Sequence, residues 1–532
     1  MIHPVWHRVH ERQVLGEADR PIAVVGLLGM AFASFMMGSD VTTLGIILPK
    51  VQESFATSVS TAQWVMNAYA LVFGILIVAG GRLADIFGRR RMLIAGTAIF
   101  AAAAMVAGAA PGVFWLIGAR ALMGAGGAMM WPAALAISYT LVPKSKAALA
   151  GGVILGALGL GGSSGPLIAG ALSEFASWRW VLFVNVPAAA VVLAIACFGL
   201  RLARTSGSGE RIDYAGISVL AALLLALLLA FDQAADWGLR DPRILGLLGA
   251  AALLLLAFFF IERRAGDAAL VPGALLRRRD LAASLASRFF IGGNYFVALV
   301  YLPEFMEKVL GYPPLAAGVG MIPMMLGFAL TSFAAGPLYP RWGAKYLCAV
   351  GMGVVVVGIA LLMRLDAHSG YGVVLPGLLL VGVGYGLGSI ALNTASVLAV
   401  PPAHASLAGA MLYMAQLVGG SLGLGAYTLI FSASAIHSLN AAGAAAGFAS
   451  DQLAAASRLL LGAGSGNSLL ARFGASADAL HALARDSFVV GLQTGFLLLL
   501  ALGALSALTA LLFLGNWRLP RAAPGVESLA RD

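Results

Sequence analysis

One acidic and one basic residue lie inside long apolar stretches of the chain. Asp40 falls within the apolar run 22–48, and Arg120 falls within 113–139. An ionised carboxylate at the centre of a bilayer costs about 2.5–3.5 kcal/mol on insertion scales, so such acids commonly take up and release protons. Arginine stays charged and needs an anion, a carbonyl group or water beside it. The two residues are therefore candidates for proton coupling. The alternatives are a hydrogen-bonded structural carboxyl and an arginine that holds its helix to backbone carbonyls.

The segment 81–90 combines glycine with charged residues between two apolar runs. An acid in such a segment can cap a helix end or pair with another element in one conformation only. Such a contact would bias a two-state equilibrium. The alternative is a solvated positive loop that only orients the neighbouring helices. The glycine and charged residues singled out in this segment are Gly81, Asp85, Gly88, Arg89 and Arg90.

Glycine and proline recur within the apolar run 147–171. Glycine lets helices approach closely, and proline removes a backbone hydrogen bond and bends the helix axis. The pattern by itself indicates close packing of this helix against its neighbours. The residues concerned are Gly161, Gly165, Pro166 and Gly170.

Scattered polar and aromatic residues in other apolar runs are candidates for a substrate cavity. Such cavities are mostly apolar and contain few polar anchors. Asn294 stands in the second half of the chain at the position that matches Asp40. Each residue alone also fits packing, and Glu304 fits a solvated rim. The candidates are Trp64, Asn67, Tyr69, Asn294, Glu304, Asn393 and Gln416.

The elements that carry these residues are predicted to be membrane-spanning helices. The chain has 532 residues, of which 61% are hydrophobic and 11% charged, whereas soluble domains carry about 25% charged residues. Apolar segments of about 20 residues are long enough to cross the ~30 Å hydrocarbon core of a bilayer. We predict an all-α integral membrane protein with fourteen spans, near 22–48, 61–80, 91–110, 113–139, 147–171, 181–200, 213–231, 243–262, 281–303, 313–335, 345–364, 371–395, 405–430 and 488–514.

The distribution of lysine and arginine predicts the orientation of these spans. Most of the 33 basic residues, Arg288 among them, fall on one side when the N-terminus is placed in the cytoplasm. This bias predicts that both termini are cytoplasmic. It also accounts for the net charge of +10, so we expect no nucleic-acid partner.

An internal repeat predicts two related helical bundles. The first span ends in Leu48-Pro49 and is followed by the segment 81–90; the ninth ends in Leu302-Pro303 and is followed by 336–345 at nearly the same distance. Repeats of this kind are typical of transporters. The predicted division is a cytoplasmic segment 1–21, a six-helix bundle 22–200, an inserted helix pair with linkers 201–280, a second six-helix bundle 281–516 with an outer loop 431–487, and a cytoplasmic tail 517–532.

Several of these segments resemble the major facilitator superfamily, specifically its fourteen-span drug:proton antiporters. The resembling stretches are 40–49, 81–91, Arg120 with Gly124 and Gly126, 161–170, and 178–187. The resemblance implies the major facilitator fold and a role for Arg120 in proton coupling. It also implies a latch at Asp85 and a fifth span that lines the interface between the halves. The chain departs from some family members because 405–430 contains no acidic residue.

The resemblance implies proton-coupled export of hydrophobic or amphiphilic small molecules, as in multidrug efflux, by alternating access. Alternatives are a proton-coupled nutrient importer, an exporter dedicated to a lipid or a self-made antibiotic, and a sensor without turnover. We expect a multi-pass protein of the bacterial inner membrane whose partners are its substrate, protons and lipid, with a periplasmic adaptor left open. The sequence shows no phosphate-binding loop and no cysteine–histidine metal spacing, so we expect no cofactor, no metal and no enzymatic activity.

Overall fold

The computed structural model describes residues 20–200, 213–237, 241–266, 269–460, 473 and 476–515, and within these ranges its regular structure is helical. The predicted segments before Arg20, at 201–212 and from 516 onwards lie outside the described residues. We number the principal helices α1 Arg20–Phe55, α2 Val59–Phe87, α3 Arg89–Gly108, α4 Val113–Thr140, α5 Ala147–Phe175, α6 Trp180–Gly199, α7 Tyr214–Trp237, α8 Pro242–Ala265, α9 Arg279–Lys308, α10 Ile322–Leu362, α11 Tyr371–Leu398, α12 Ala405–Ala445, α13 Ser450–Leu460 and α14 Ala477–Phe513.

Twelve of the described helices are long and apolar enough to cross a membrane, so the predicted count of fourteen spans is not confirmed. The predicted tenth and eleventh spans fall in one continuous apolar stretch, Leu315–Leu362, which contains α10 and is interrupted at Gly343. The predicted seventh span corresponds to α7, which qualifies only as a shorter apolar helix over Tyr214–Leu227. The count of fourteen therefore stays a prediction.

The interruption of α10 has a counterpart in the first half of the chain. Gly343 has φ 73° and ψ 170°, and Gly88, between α2 and α3, has φ 101° and ψ 127°. Residues with a side chain rarely adopt positive φ, so both turns require glycine. These two glycines occupy matching positions in the segments 81–90 and 336–345, and the sequence repeat is thus also a repeat in backbone geometry.

The helices before α7 pack with one another, and so do those after α8. In the first group α1 packs against α5, and α4 packs against α2 and α3. In the second group α9 packs against α12 and α14, and α10 packs against α11. The two groups meet where α5 packs against α10 and where α2 packs against α12. Helix α7 packs against its neighbour α8 and also contacts both α2 and α12.

The segment 431–487 is more helical than the sequence analysis predicted. Helix α12 has 41 residues and continues to Ala445, and α14 starts at Ala477. At 1.5 Å per residue α12 is about 60 Å long, twice the thickness of the hydrocarbon core, so it must project beyond it. The projecting ends of α12 and α14 pack with α13 around Leu439, Ala456 and Leu480. Within the predicted outer loop, α13 is therefore a separate short helix, and residues 477–487 belong to α14.

Candidate functional site

The two charged residues singled out in apolar runs form a buried ion pair. One carboxylate oxygen of Asp40, on α1, accepts a hydrogen bond from Nη1 of Arg120, on α4, at 2.7 Å. The other oxygen accepts from the side-chain amide of Asn185, on α6, at 3.0 Å. Both side chains of the ion pair are 1% exposed. The acid is therefore held by donors from two other helices of its bundle.

Arg120 has further partners that do not depend on Asp40. Its Nε donates to the Val65 carbonyl of α2 at 3.2 Å, and its guanidinium lies 4.4 Å from the centre of the Tyr69 ring. Tyr69 stacks on Phe73, one turn farther along α2. The ion pair thus attaches α1 to α4, and the Val65 and Tyr69 contacts attach Arg120 to α2 independently of it.

The glycines of α5 lie on two different faces of that helix. A Cβ atom at Gly161 would lie 2.9 Å from the Ser39 nitrogen, and one at Gly165 would lie 2.9 Å from the Ser39 carbonyl oxygen. These residues bring α5 against α1. On the other face, a Cβ at Gly152 would lie 2.6 Å from the Ser332 carbonyl oxygen, and Gly156 faces Phe333, both on α10. Helix α5 therefore connects the Asp40 helix with the second bundle.

Two further residues of the predicted fifth-span pattern behave differently from Gly161 and Gly165. Pro166 lies inside α5, where it removes one backbone hydrogen bond. Gly170 is loosely packed, because a Cβ there would meet only the Leu315 side chain, at 3.9 Å. The close contact between the bundles is made instead by the earlier part of α5, at Gly152 and Gly156.

At the ends of the helices nearest Gly88, which we call the Gly88 face, the predicted latch residues bind the second bundle. The Asp85 carboxylate accepts hydrogen bonds from the backbone N–H groups of Ser406 at 3.3 Å and Leu407 at 2.9 Å. These groups begin helix α12, where an acid is favourable because of the helix dipole. A Cβ at Gly81 would lie 2.6 Å from the Ala410 side chain. Asp85 and Gly81 thus hold α2 against the start of α12.

The two predicted latch arginines, Arg89 and Arg90, have separate partners. Arg89 forms an ion pair with Asp85 at 3.1 Å, donates to the Ser406 hydroxyl at 3.1 Å, and also donates to the Pro402 carbonyl. Arg90 donates to the Ala196 carbonyl of α6 at 2.8 Å. Arg89 therefore bridges the two bundles, whereas Arg90 attaches α3 to α6 within the first bundle.

The seven cavity candidates do not form one cluster. Tyr69 lies beside Arg120, and Trp64 and Asn67 are half-buried on the same helix. Asn294 is buried and donates to the Leu499 carbonyl at 2.7 Å while it accepts from the Tyr385 hydroxyl at 2.7 Å. Asn393 donates to the Ser389 carbonyl in its own helix. Asn294 and Asn393 thus use their amides in contacts within the second half.

The remaining two candidates differ in their exposure. Glu304 forms a partly exposed ion pair with Lys308 at 3.1 Å, as expected for a rim residue. Gln416 is 8% exposed, and its carbonyl oxygen has no hydrogen-bond partner among the described residues.

Three features near the candidate site, two contacts and one buried residue, were not anticipated by the sequence analysis. Asn185 was noted only as part of a resembling stretch, and nothing in the sequence indicated that its amide reaches Asp40. Tyr413 of α12 packs edge-on against Phe73 and against Trp131 of the first bundle, at ring distances of 5.3 and 5.9 Å. Arg288, counted from its sequence position as a residue of the cytoplasmic side, is instead 5% exposed inside α9.

Comparisons with known proteins agree with this architecture. The chain is 34% identical over 410 residues to the puromycin resistance protein pur8 of Streptomyces alboniger, covering 75% of this chain and 80% of that one. It is 31% identical to the cephamycin export protein CmcT of Amycolatopsis lactamdurans, covering 76% and 84%. It is 30% identical to the tetracenomycin C resistance and export protein of Streptomyces glaucescens, covering 75% and 74%.

A solved structure supports the fold independently of close sequence similarity. A bacterial homologue of the human lysosomal transporter Spinster, in an inward-facing and unoccupied conformation, superimposes with a TM-score of 0.55 at 16% identity, covering 93% of this chain and 98% of that one. Residues 30–424 match the family described as the Major Facilitator Superfamily. The chain is a multi-pass membrane protein and belongs to the Major Facilitator Superfamily.

Proposed function

We propose that this protein is a proton-coupled secondary transporter that exports hydrophobic or amphiphilic small molecules from the cell by alternating access. The observation that carries the proposal is the buried Asp40–Arg120 ion pair with its Asn185 contact. Relatives whose names describe antibiotic resistance or export support the direction of transport and the class of substrate. The proposed cellular location is a bacterial inner membrane with both termini in the cytoplasm.

The proposed mechanism links the protonation of Asp40 to the contacts between the bundles. Protonation weakens the attachment of α1 to Arg120 on α4. Helix α1 packs closely on α5 at Gly161 and Gly165, and α5 packs on α10 at Gly152 and Gly156. A displacement of α1 would therefore reach the second bundle through α5. The binding of substrate in the space between the bundles would favour release of the proton, which gives antiport.

The contacts of the Gly88 face define one end state of this cycle. Asp85, Arg89 and Gly81 hold α2 against α12 there, so the path between the bundles is closed at that face. In the proposed orientation the Gly88 face is cytoplasmic, so this end state is an outward-open or occluded conformation. The same proposal includes the division into bundles 22–200 and 281–516, with the helix pair at 201–280 inserted between them. It is also compatible with a periplasmic adaptor as a partner.

The test uses inverted membrane vesicles that are acidified inside and contain a pH-sensitive dye. A panel of lipophilic cations, lipophilic carboxylates, neutral dyes and puromycin is added to wild type, Asp40→Asn and Glu53→Gln. Glu53 is an exposed acid on the same helix and serves as the matched control. We expect substrate-induced proton release in wild type and Glu53→Gln, reduced at least tenfold in Asp40→Asn. Substrate movement that ignores the pH gradient, or proton entry with the substrate, would contradict antiport.

A further inference from the structure

Arg288 is a buried cation in the second bundle. It lies nine residues after the start of α9, about 13 Å along the helix axis. The residue is 5% exposed. A buried charge in a membrane-spanning helix is retained only where it has compensating partners or a function.

The partners of Arg288 within the described residues do not neutralise its charge. Its Nη1 donates to the Ser389 hydroxyl at 2.6 Å, and its Nε has no hydrogen-bond partner. The helices packed on α9 supply no nearby acid. Helices α11 and α12 contain no aspartate or glutamate, and neither does α10, which carries the neighbouring Cys348. The acids of α9 and α14 lie towards the ends of those helices, at Asp280, Glu304, Glu307, Asp478 and Asp486.

The surroundings of Arg288 place it next to the interface between the bundles. Its guanidinium is close enough to the hydroxyls of Tyr295 and Tyr413 for electrostatic interaction. Both tyrosines are only partly buried, and Tyr413 touches Phe73 and Trp131 of the first bundle. The free carbonyl oxygen of Gln416 lies one turn beyond Tyr413 on α12. The unsatisfied guanidinium therefore lies near Tyr413, whose ring contacts the opposite bundle.

We propose that Arg288 binds an anionic oxygen group of the exported molecule, such as a carboxylate or a phenolate. The inference rests on the proposed export function and names a substrate class for it. The apolar body of the substrate would contact the aromatic side chains at the interface, and its oxygens would accept hydrogen bonds from Arg288 and the nearby tyrosines. A substrate with this group compensates the buried charge, whereas a cationic substrate would be repelled by it. In the first bundle Asp40 already compensates Arg120, so the second bundle is the one that favours an anion.

The test compares two fluorescent probes with the same ring system and different head groups, the carboxylate 1-pyrenebutyrate and the alcohol 1-pyrenebutanol. The purified full-length protein is placed in zwitterionic lipid nanodiscs, and binding is measured by energy transfer from tryptophan against empty nanodiscs. Hydrogen bonds to charged groups contribute about 1.5–3 kcal/mol, so wild type should bind the carboxylate at least about tenfold more tightly than the alcohol. Arg288→Gln should abolish this preference, and Arg288→Lys should keep part of it.

Two further variants separate the proposed contact from general effects. Arg341→Gln removes an exposed cation from α10 and should keep the wild-type preference. Ser389→Ala removes the neutral partner of Arg288 and should keep or increase the preference for the carboxylate. If Arg288→Gln does not fold, wild type, Arg288→Lys and Ser389→Ala still decide the question.

Three results would overturn the proposal. They are equal binding of both probes by wild type, a carboxylate preference that survives Arg288→Gln, and loss of the preference when phosphatidylglycerol is added to the nanodiscs. The last result would assign the site to a lipid phosphate. Binding in nanodiscs needs no pH gradient, so a failure here, with Asp40-dependent proton release intact, would leave the proposed antiport standing.

Discussion

Replacement of Asp85 by asparagine should open the Gly88 face. The ionised Asp85 side chain, 1% exposed, accepts two backbone N–H groups at the start of α12 and pairs with Arg89. Asparagine is of equal size, and its single carbonyl oxygen can still accept one of those N–H groups. The substitution therefore removes one hydrogen bond and the charge, which should reduce the free energy that favours the closed Gly88 face by about 1.5 kcal/mol. The population in which the bundles are apart at this face should rise by about tenfold.

Distance measurements between two spin labels test this prediction directly. The labels are attached at Arg91→Cys and Arg341→Cys, two exposed positions on opposite halves, after replacement of Cys197 and Cys348. The Asp85→Asn protein should gain a longer-distance component that is weak in the parent. Asp451→Asn, which changes an exposed acid on α13, should leave the distances unchanged. An identical distribution in the parent and Asp85→Asn would refute the role of Asp85 as a latch.

Two other substitutions test the coupling site and the repeat. Asn185→Ala leaves one oxygen of the buried Asp40 carboxylate without its donor and should reduce substrate-induced proton release in vesicles, whereas Asn393→Ala, which loses a hydrogen bond within its own helix, should leave it unchanged. Gly343→Ala places a side chain at φ 73° and should lower the free energy of unfolding by about 1–2 kcal/mol, which lowers the thermal midpoint by a few degrees. Gly353→Ala lies in the same helix with open space around it and should not lower the midpoint.

The sequence was informative wherever one residue type could perform only one task at its position. An acid and an arginine in apolar runs need each other or some other partner, so a buried partner for each of Asp40 and Arg120 could be predicted. The glycine of the repeated segment was likewise recognisable, because both Gly88 and Gly343 occupy turns that other residues rarely adopt. Hydrophobicity predicted the membrane-spanning helices for the same reason, since only apolar side chains are stable against lipid.

The sequence was less informative about contacts between residues distant in the chain. Asn185 and Asp40 are separated by 145 positions, and an asparagine near a helix start has many alternative partners. Apolar runs also underestimated the length of helices, because an alanine-rich helix continues beyond the membrane without a change in backbone geometry. This is why α12 extends to Ala445 instead of ending near residue 430.

Arg288 shows why counting basic residues along the sequence can miss a buried arginine. It lies nine residues beyond the Arg279 start of α9, and by sequence alone it joins the basic cluster 277–279 on the cytoplasmic side. In the structure its side chain is buried with a hydroxyl as its hydrogen-bond acceptor. The related bundles thus carry different electrostatics, a neutralised pair at Asp40–Arg120 and a cation at Arg288. Since a proton carrier and an organic anion need opposite charges in their sites, this asymmetry would allow one bundle to bind the proton and the other to bind the substrate.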